Sequence, residues 1–174
     1  MSEIMKQDIN GKFDEKIKAL EKMLPKMTNG VNCVELTLTS VLEVLGIKNG
    51  VINNLMIPLA GGFGGYKSKK GWQGACGAVC GGCAATGVIL GGRERMPNEL
   101  ILNAYMNAAK FAADFEAEFG TVVCSGLCGY DFSEPDGLEE YQNNNTWETT
   151  CNKFVLWAVD HVRNMMRDEL TEKW

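Results

Sequence analysis

The chain has 174 residues, 45% hydrophobic and 22% charged, which is enough for one domain with a real core and excludes a disordered segment. A formal net charge of −5 argues against a nucleic-acid binder. No apolar run approaches the ~20 residues that span a bilayer, so no membrane insertion is expected.

In chain order, residues 12–24 predict a helix with Phe13, Ile17, Leu20 and Leu24 on one stripe, capped by Asp8 or Asn10. Pro25 and the turn residues 28–30 end it. A second helix is expected over 32–45, with Asn32 as N-cap and Gly46 closing it. Residues 50–60 predict a short buried helix, and 61–74 a glycine-rich loop. Residues 75–92 are almost wholly small and predict a helix packed closely on its neighbours. The clearest helix is 98–119, ended by Gly120. Residues 121–145 predict loop, and the last helix runs over about 146–170. Six helices without strand alternation predict an all-α, single compact helical domain over 1–174. In it, 1–30 adds an N-terminal helix to a core over 32–165, and the glycine-rich loop precedes a cysteine-bearing central helix.

Seven cysteines, one histidine and 20 glycines are the compositional anomaly. A domain of this size does not need disulfides, and an odd number of thiols cannot all pair within one chain. The N-terminus is charged and lacks an apolar signal region, so the expected location is the reducing cytoplasm. One histidine leaves little room for a Cys/His zinc finger or a Ser–His–Asp triad.

The cysteines are Cys33, Cys76, Cys80, Cys83, Cys124, Cys128 and Cys151. Cys76, Cys80 and Cys83 fall at i, i+4 and i+7, an arc of about 60° if the segment is helical. Neighbouring thiols then lie within reach of one metal centre, but Cys76 and Cys83 stand ~10 Å apart along the axis. Either one is spare, or the cluster is extended or a second site exists, or the Gly81-Gly82 pair breaks the helix. The glycines either make room for a cluster or permit tight helix packing. A thiolate-rich, histidine-poor set favours iron–sulfur or zinc. Two other readings stand beside it: thiol–disulfide chemistry at Cys80 and Cys83, and inert burial, for which Cys151 is the clearest case.

Other features carry less. Lys67, Lys69 and Lys70 either solvate a loop or attract an anion or an acidic electron-transfer partner. Glu134, Asp136, Glu139 and Glu140 form an acidic surface run. Trp72, Trp147 and Trp157 are expected in core or interface, Met165 and Met166 in packing, and His161 as a surface or helix-packing residue.

The cysteines and their neighbours resemble the small redox-active proteins named for a C…CGAxxG…C…C pattern. Asn32-Cys33 starts a helix, GGFGG at 61–65 leads into Cys76-Gly77-Ala78-Val79-Cys80-Gly81, Cys124 is followed by Leu127, and Cys151-Asn152-Lys153 opens the last helix. The resemblance covers about residues 32–165. It implies a helical cytoplasmic redox or metal protein and singles out Cys33, Cys76, Cys124 and Cys151. Cys80, Cys83 and Cys128 depart from the four-cysteine pattern and suggest more than one iron–sulfur cluster, or one larger than four thiolates hold. A distant similarity to the iron–sulfur part of split-Soret cytochrome favours iron–sulfur over zinc. No c-type haem is expected, because Ala84 stands where C-x-x-C-H needs histidine. The expected partners are a redox protein and a second copy of the chain. The protein would act as a redox carrier or as a component of a redox enzyme.

Overall fold

Capping side chains mark where the first helices begin. In the computed structural model, which describes residues 8–27 and 32–174, the Asp8 carboxylate accepts from Asn10 N at 3.0 Å and starts α1 (Ile9–Met23). Phe13 and Leu20 are buried from its inner face. The turn expected at 28–30 and the charged first seven residues lie outside the described residues. Asn32 Oδ1 accepts from Val34 N and Glu35 N, both at 3.1 Å, and starts α2 (Cys33–Val44). Gly46, at φ +68°, closes it as a residue without Cβ can.

Helix α3 (Gly50–Leu59) forms where expected but is not buried: Val51 is 66% and Leu55 58% exposed. Polar anchors hold it instead. Asn32 Nδ2 donates to Ile57 O at 2.8 Å, and Asn53 Nδ2 to Glu35 Oε1 at 3.1 Å. Pro58 has no N–H to continue the ladder, and the chain widens into a π turn over Ala60–Gly64.

Helix α4 (Gly77–Gly91) is the central element and packs on α2, on α5 (Ile101–Phe119) and on α8 (Asn152–Met165). Its glycines allow this. A Cβ on Gly81 would stand 2.7 Å from Thr37 Cβ and from Val34 O, and one on Gly82 would fall on the Phe111 ring. The Gly81-Gly82 pair therefore does not break the helix; it lets neighbouring elements come against it. Gly120, at φ +82°, ends α5.

Residues 121–145, expected as loop, contain α6 (Cys124–Cys128) and α7 (Gly137–Asn143). Both are too short for an apolar period to register. The expected last helix is interrupted. A π turn over Trp147–Cys151 precedes α8, and a break at Met166 separates α9 (Arg167–Lys173). Met166 is fully buried, and the redirected end lets Lys173 Nζ and Trp174 Nε1 donate to Leu90 O and Ile89 O on α4.

The all-α expectation holds. Among the described residues the only β pairings are isolated bridges, Lys67 with Gln73 and Ala75 with Val123. No described helix is long and apolar enough to cross a membrane. The core centres on Phe111, Phe115, Phe154 and Val155, with Trp157 and Phe119 against them.

Candidate thiol-rich metal centre

Several chain segments deliver a thiol to one place. Cys33 is the first residue of α2, Cys76 caps α4, Cys124 and Cys128 begin and end α6, and Cys151 caps α8. The N-termini of α2 and α4 thus direct their dipoles toward the same region, which favours negative charge on sulfur, while Cys151 sits where the π turn runs into α8. The bridge between Ala75 and Val123 sets two of the thiols beside each other. Cys76 N donates to Val122 O at 2.7 Å, and Cys124 N to Gly74 O at 3.1 Å.

These five thiols line a cavity of about 290 Å³. That is many times the ~10–15 Å³ that lodges one water. Gly61, Gly64 and Gly65 of the turn after α3 form one wall, and a Cβ on Gly64 would sit 3.4 Å from Cys124 Sγ. Leu127, Phe132, Leu138 and Phe154 make the remainder mostly apolar. Tyr141 is the one polar side chain there that is not a thiol. Among the described residues, no three His, Cys, Asp or Glu side chains converge closely enough to hold a single metal ion. The sulfurs surround a hollow rather than meet at a point.

Electrostatics follow from burial. Desolvation, then the neighbouring Cys76 and Cys151, hold the Cys33 thiol well above its ordinary range. Burial pushes Cys76 up to about 12, opposed by the N–H groups of Ala78 and Val79. Cys124 is raised because its thiol donates a hydrogen bond to Cys128, and Cys128 is lowered because its thiolate accepts that hydrogen bond. Burial raises Cys151 to about 11, opposed by a hydrogen bond from Tyr141. Tyr141 is itself raised, first by burial, and stays a phenol. Without metal, the deeper thiols are therefore protonated at neutral pH.

Cys80 and Cys83 do not line this cavity. Helix α4 starts only at Gly77, so Cys76 stands off the helix in extended backbone while Cys80 and Cys83 stay on it. Cys83 Sγ donates to Ala108 O of α5 at 3.4 Å. Burial raises both thiols, Cys83 to about 11. His161 is away from the cavity: it lies 2.8 Å from Asp114 Oδ2 and stacks on Trp157 at 4.2 Å. Trp147 is buried and Trp157 half-buried, but Trp72 is exposed rather than in the core. Sequence reasoning passed over Tyr141, which lies ten residues before Cys151 in an acidic helix with no periodic signal.

No curated protein and no solved structure matches the chain. The model of one protein family, described as "Putative redox-active protein (C_GCAxxG_C_C)", matches residues 31–165. The string GCAxxG in that description is present as Gly82-Cys83-Ala84-Ala85-Thr86-Gly87, and CGAxxG as Cys76-Gly77-Ala78-Val79-Cys80-Gly81. The printed string holds Cys83, against the expectation that Cys83 departs from the family pattern, whereas the cavity is lined by Cys76 and not by Cys83. The match covers most of the chain, and the protein belongs to this family.

Proposed function

We propose that the cavity binds an iron–sulfur cluster and that the protein transfers electrons, as a cytoplasmic carrier or as a component of a redox enzyme. The observation that carries this reading is the arrangement of the thiols. Five soft sulfur donors surround a hollow of about 290 Å³, and no three converge on one ion. Such a set suits a polynuclear group better than a single tetrahedral zinc. When bound, the cluster supplies one-electron redox chemistry at an accessible potential.

The chain's own groups do the rest. Cys33, Cys76, Cys124 and Cys151 are the proposed ligands, and Cys128 stands beside them as a fifth donor. The thiols must give up their protons on loading, which the converging helix N-termini assist. Tyr141 donates to the Cys151 sulfur, and apolar side chains limit water. The hydrogen bond to sulfur raises the reduction potential, and exclusion of water from an anionic site lowers it, so the two features act in opposite directions.

The second reading is thiol–disulfide exchange at Cys80 and Cys83, favoured by their separation from the cavity. Helical geometry counts against it. Residues at i and i+3 hold Cβ atoms ~5–6 Å apart, whereas a disulfide needs ~3.5–4.5 Å. Anaerobic purification with iron and sulfide analysis and a visible spectrum tests the first reading. Iron and sulfide in similar amounts with broad visible absorption are expected. A colourless, iron-free protein overturns the proposal, and stoichiometric zinc from the same preparation replaces it with a structural zinc site.

A further inference from the structure

The glycine-rich wall of the cavity has an outer side that the metal reading does not use. Gly64 faces the Cys124 sulfur, while the adjacent Phe63 side chain is 44% exposed on the surface. Phe63 packs edge-on against Trp72 with centroids 6.3 Å apart, and Trp72 contacts Tyr66 at 5.6 Å. Trp72 and Tyr66 are themselves 47% and 55% exposed. The three rings form one surface cluster rather than part of the core.

The backbone holds this cluster out deliberately. Ser68 N donates to Trp72 O at 2.8 Å and Gly71 N to Ser68 O at 2.9 Å, with Gly71 at φ +90°. Gly74 lies so close to the Phe63 backbone that a Cβ would overlap its carbonyl. Ser125 Oγ, next to Cys124, donates to Gln73 Oε1 at 2.7 Å. The segment is thus tied at its base to the residues that carry a cavity thiol.

Exposed aromatic clusters of this kind mark interaction surfaces, where Tyr and Trp are enriched. The charge beside this one is positive in a chain of net charge −5. Lys67 pairs with Asp131, but Lys69 and Lys70 make no salt bridge among the described residues. The acidic run at Glu134, Asp136, Glu139 and Glu140 borders the same cavity through Leu138 and repels an acidic body there. Asp131 and Glu134 act on Lys67 at the edge of this loop, so the positive charge left for an acidic partner is that of Lys69 and Lys70.

We infer that Phe63, Tyr66 and Trp72, flanked by Lys69 and Lys70, form the docking face for an acidic redox protein. The inference rests on the electron-transfer reading of the cavity. With a cluster held by these thiolates the exchange would be of one electron, lost by the reduced partner and gained at the site, with no bond made or broken. Docking here places the partner against the glycine wall that touches Cys124.

The test uses the whole protein, purified anaerobically, and two probes of opposite charge: an acidic plant-type ferredoxin and a basic cytochrome c. Binding is titrated at low and high salt, and iron is assayed on the same samples. Trp72→Ala and the double variant Lys69→Glu/Lys70→Glu alter only exposed side chains. The wild type should bind the ferredoxin in preference to cytochrome c, and more weakly as salt rises. Each variant should weaken that binding about tenfold with iron content unchanged. Unchanged binding by both variants, or a preference for cytochrome c, overturns the docking face while leaving the metal reading intact. An iron-free wild type that still shows lysine-dependent binding removes the metal reading and supports the face.

Discussion

Gly81 and Gly87 both lie on α4 but should respond to alanine with opposite signs. A Cβ on Gly81 would meet Thr37 Cβ and Val34 O at 2.7 Å and Leu38 N at 3.3 Å, against an ordinary limit of 3.4 Å. Neither main contact is a flexible side-chain end, so α2 and α4 must separate by about 0.7 Å. A gap of ~0.5–1 Å forfeits a quarter to a half of the dispersion energy across an interface. Overpacking costs about 1–3 kcal/mol, and contacts with a Cβ and a backbone oxygen that cannot swing away put this one at about 2–3 kcal/mol, of which alanine returns ~1 kcal/mol through helix propensity. The expected net loss for Gly81→Ala is therefore about 1–2 kcal/mol. A Cβ on Gly87 meets nothing within 4 Å. Gly87→Ala should gain ~0.5–1 kcal/mol from propensity and from the stiffer unfolded chain. Urea unfolding of the metal-free, reduced protein reads both, with midpoints moving in opposite directions at equal slope. Melting temperatures should diverge by several degrees, at about 2–4 °C per kcal/mol for a chain of this size. A Gly81→Ala protein as stable as wild type, or a destabilised Gly87→Ala, would refute the close-packing account of α4.

Other outcomes follow from the thiols and the core. The folded metal-free protein keeps a proton on Cys76 up to about pH 12, whereas the unfolded chain releases it near 9.0. Stability should therefore be intact below pH 9 and fall above it, by up to about 1.4 kcal/mol per pH unit for each such thiol. A flat stability profile between pH 8 and 11 would show that the thiol is not buried as described. In the loaded protein the dependence reverses, because ligands must be deprotonated: metal should be lost as pH falls. Tyr141→Phe should leave metal content unchanged and lower the reduction potential, since a neutral donor to a ligand sulfur is lost; an unmoved potential would separate the phenol from the site. Trp147 Nε1 donates to Leu24 O at 2.6 Å in the interior. Trp147→Phe removes that bond while Leu24 O keeps the one from Met27 N at 3.2 Å, and should cost about 0.5–1.5 kcal/mol in a urea titration.

Helices with a cap and a clear apolar period were legible in the sequence. Asn32, Gly46 and Gly120 marked ends that the structure reproduces. Helices α6 and α7 were not, since five and seven residues carry no usable period. The exposure of α3 was hidden because its composition matches that of a buried helix, and its anchors are two asparagine side chains. The break at Met166 depends on where α9 meets α4, a contact between distant segments. The same holds for the site. Spacing grouped Cys76 with Cys80 and Cys83 on one helical face, but the cap position turns Cys76 into the cavity and leaves the other two outside. Tyr141 and the glycine wall join the site only through tertiary packing.

The most direct measurement of the central claim is anaerobic iron and sulfide content in two matched variants. Cys76→Ser removes a cavity thiol, and Cys80→Ser/Cys83→Ser removes the two thiols of α4 that do not line it. Cluster binding in the cavity predicts that the single variant loses iron, sulfide and visible absorption while the double variant keeps them. Iron retained by Cys76→Ser and lost from the double variant would contradict the assignment.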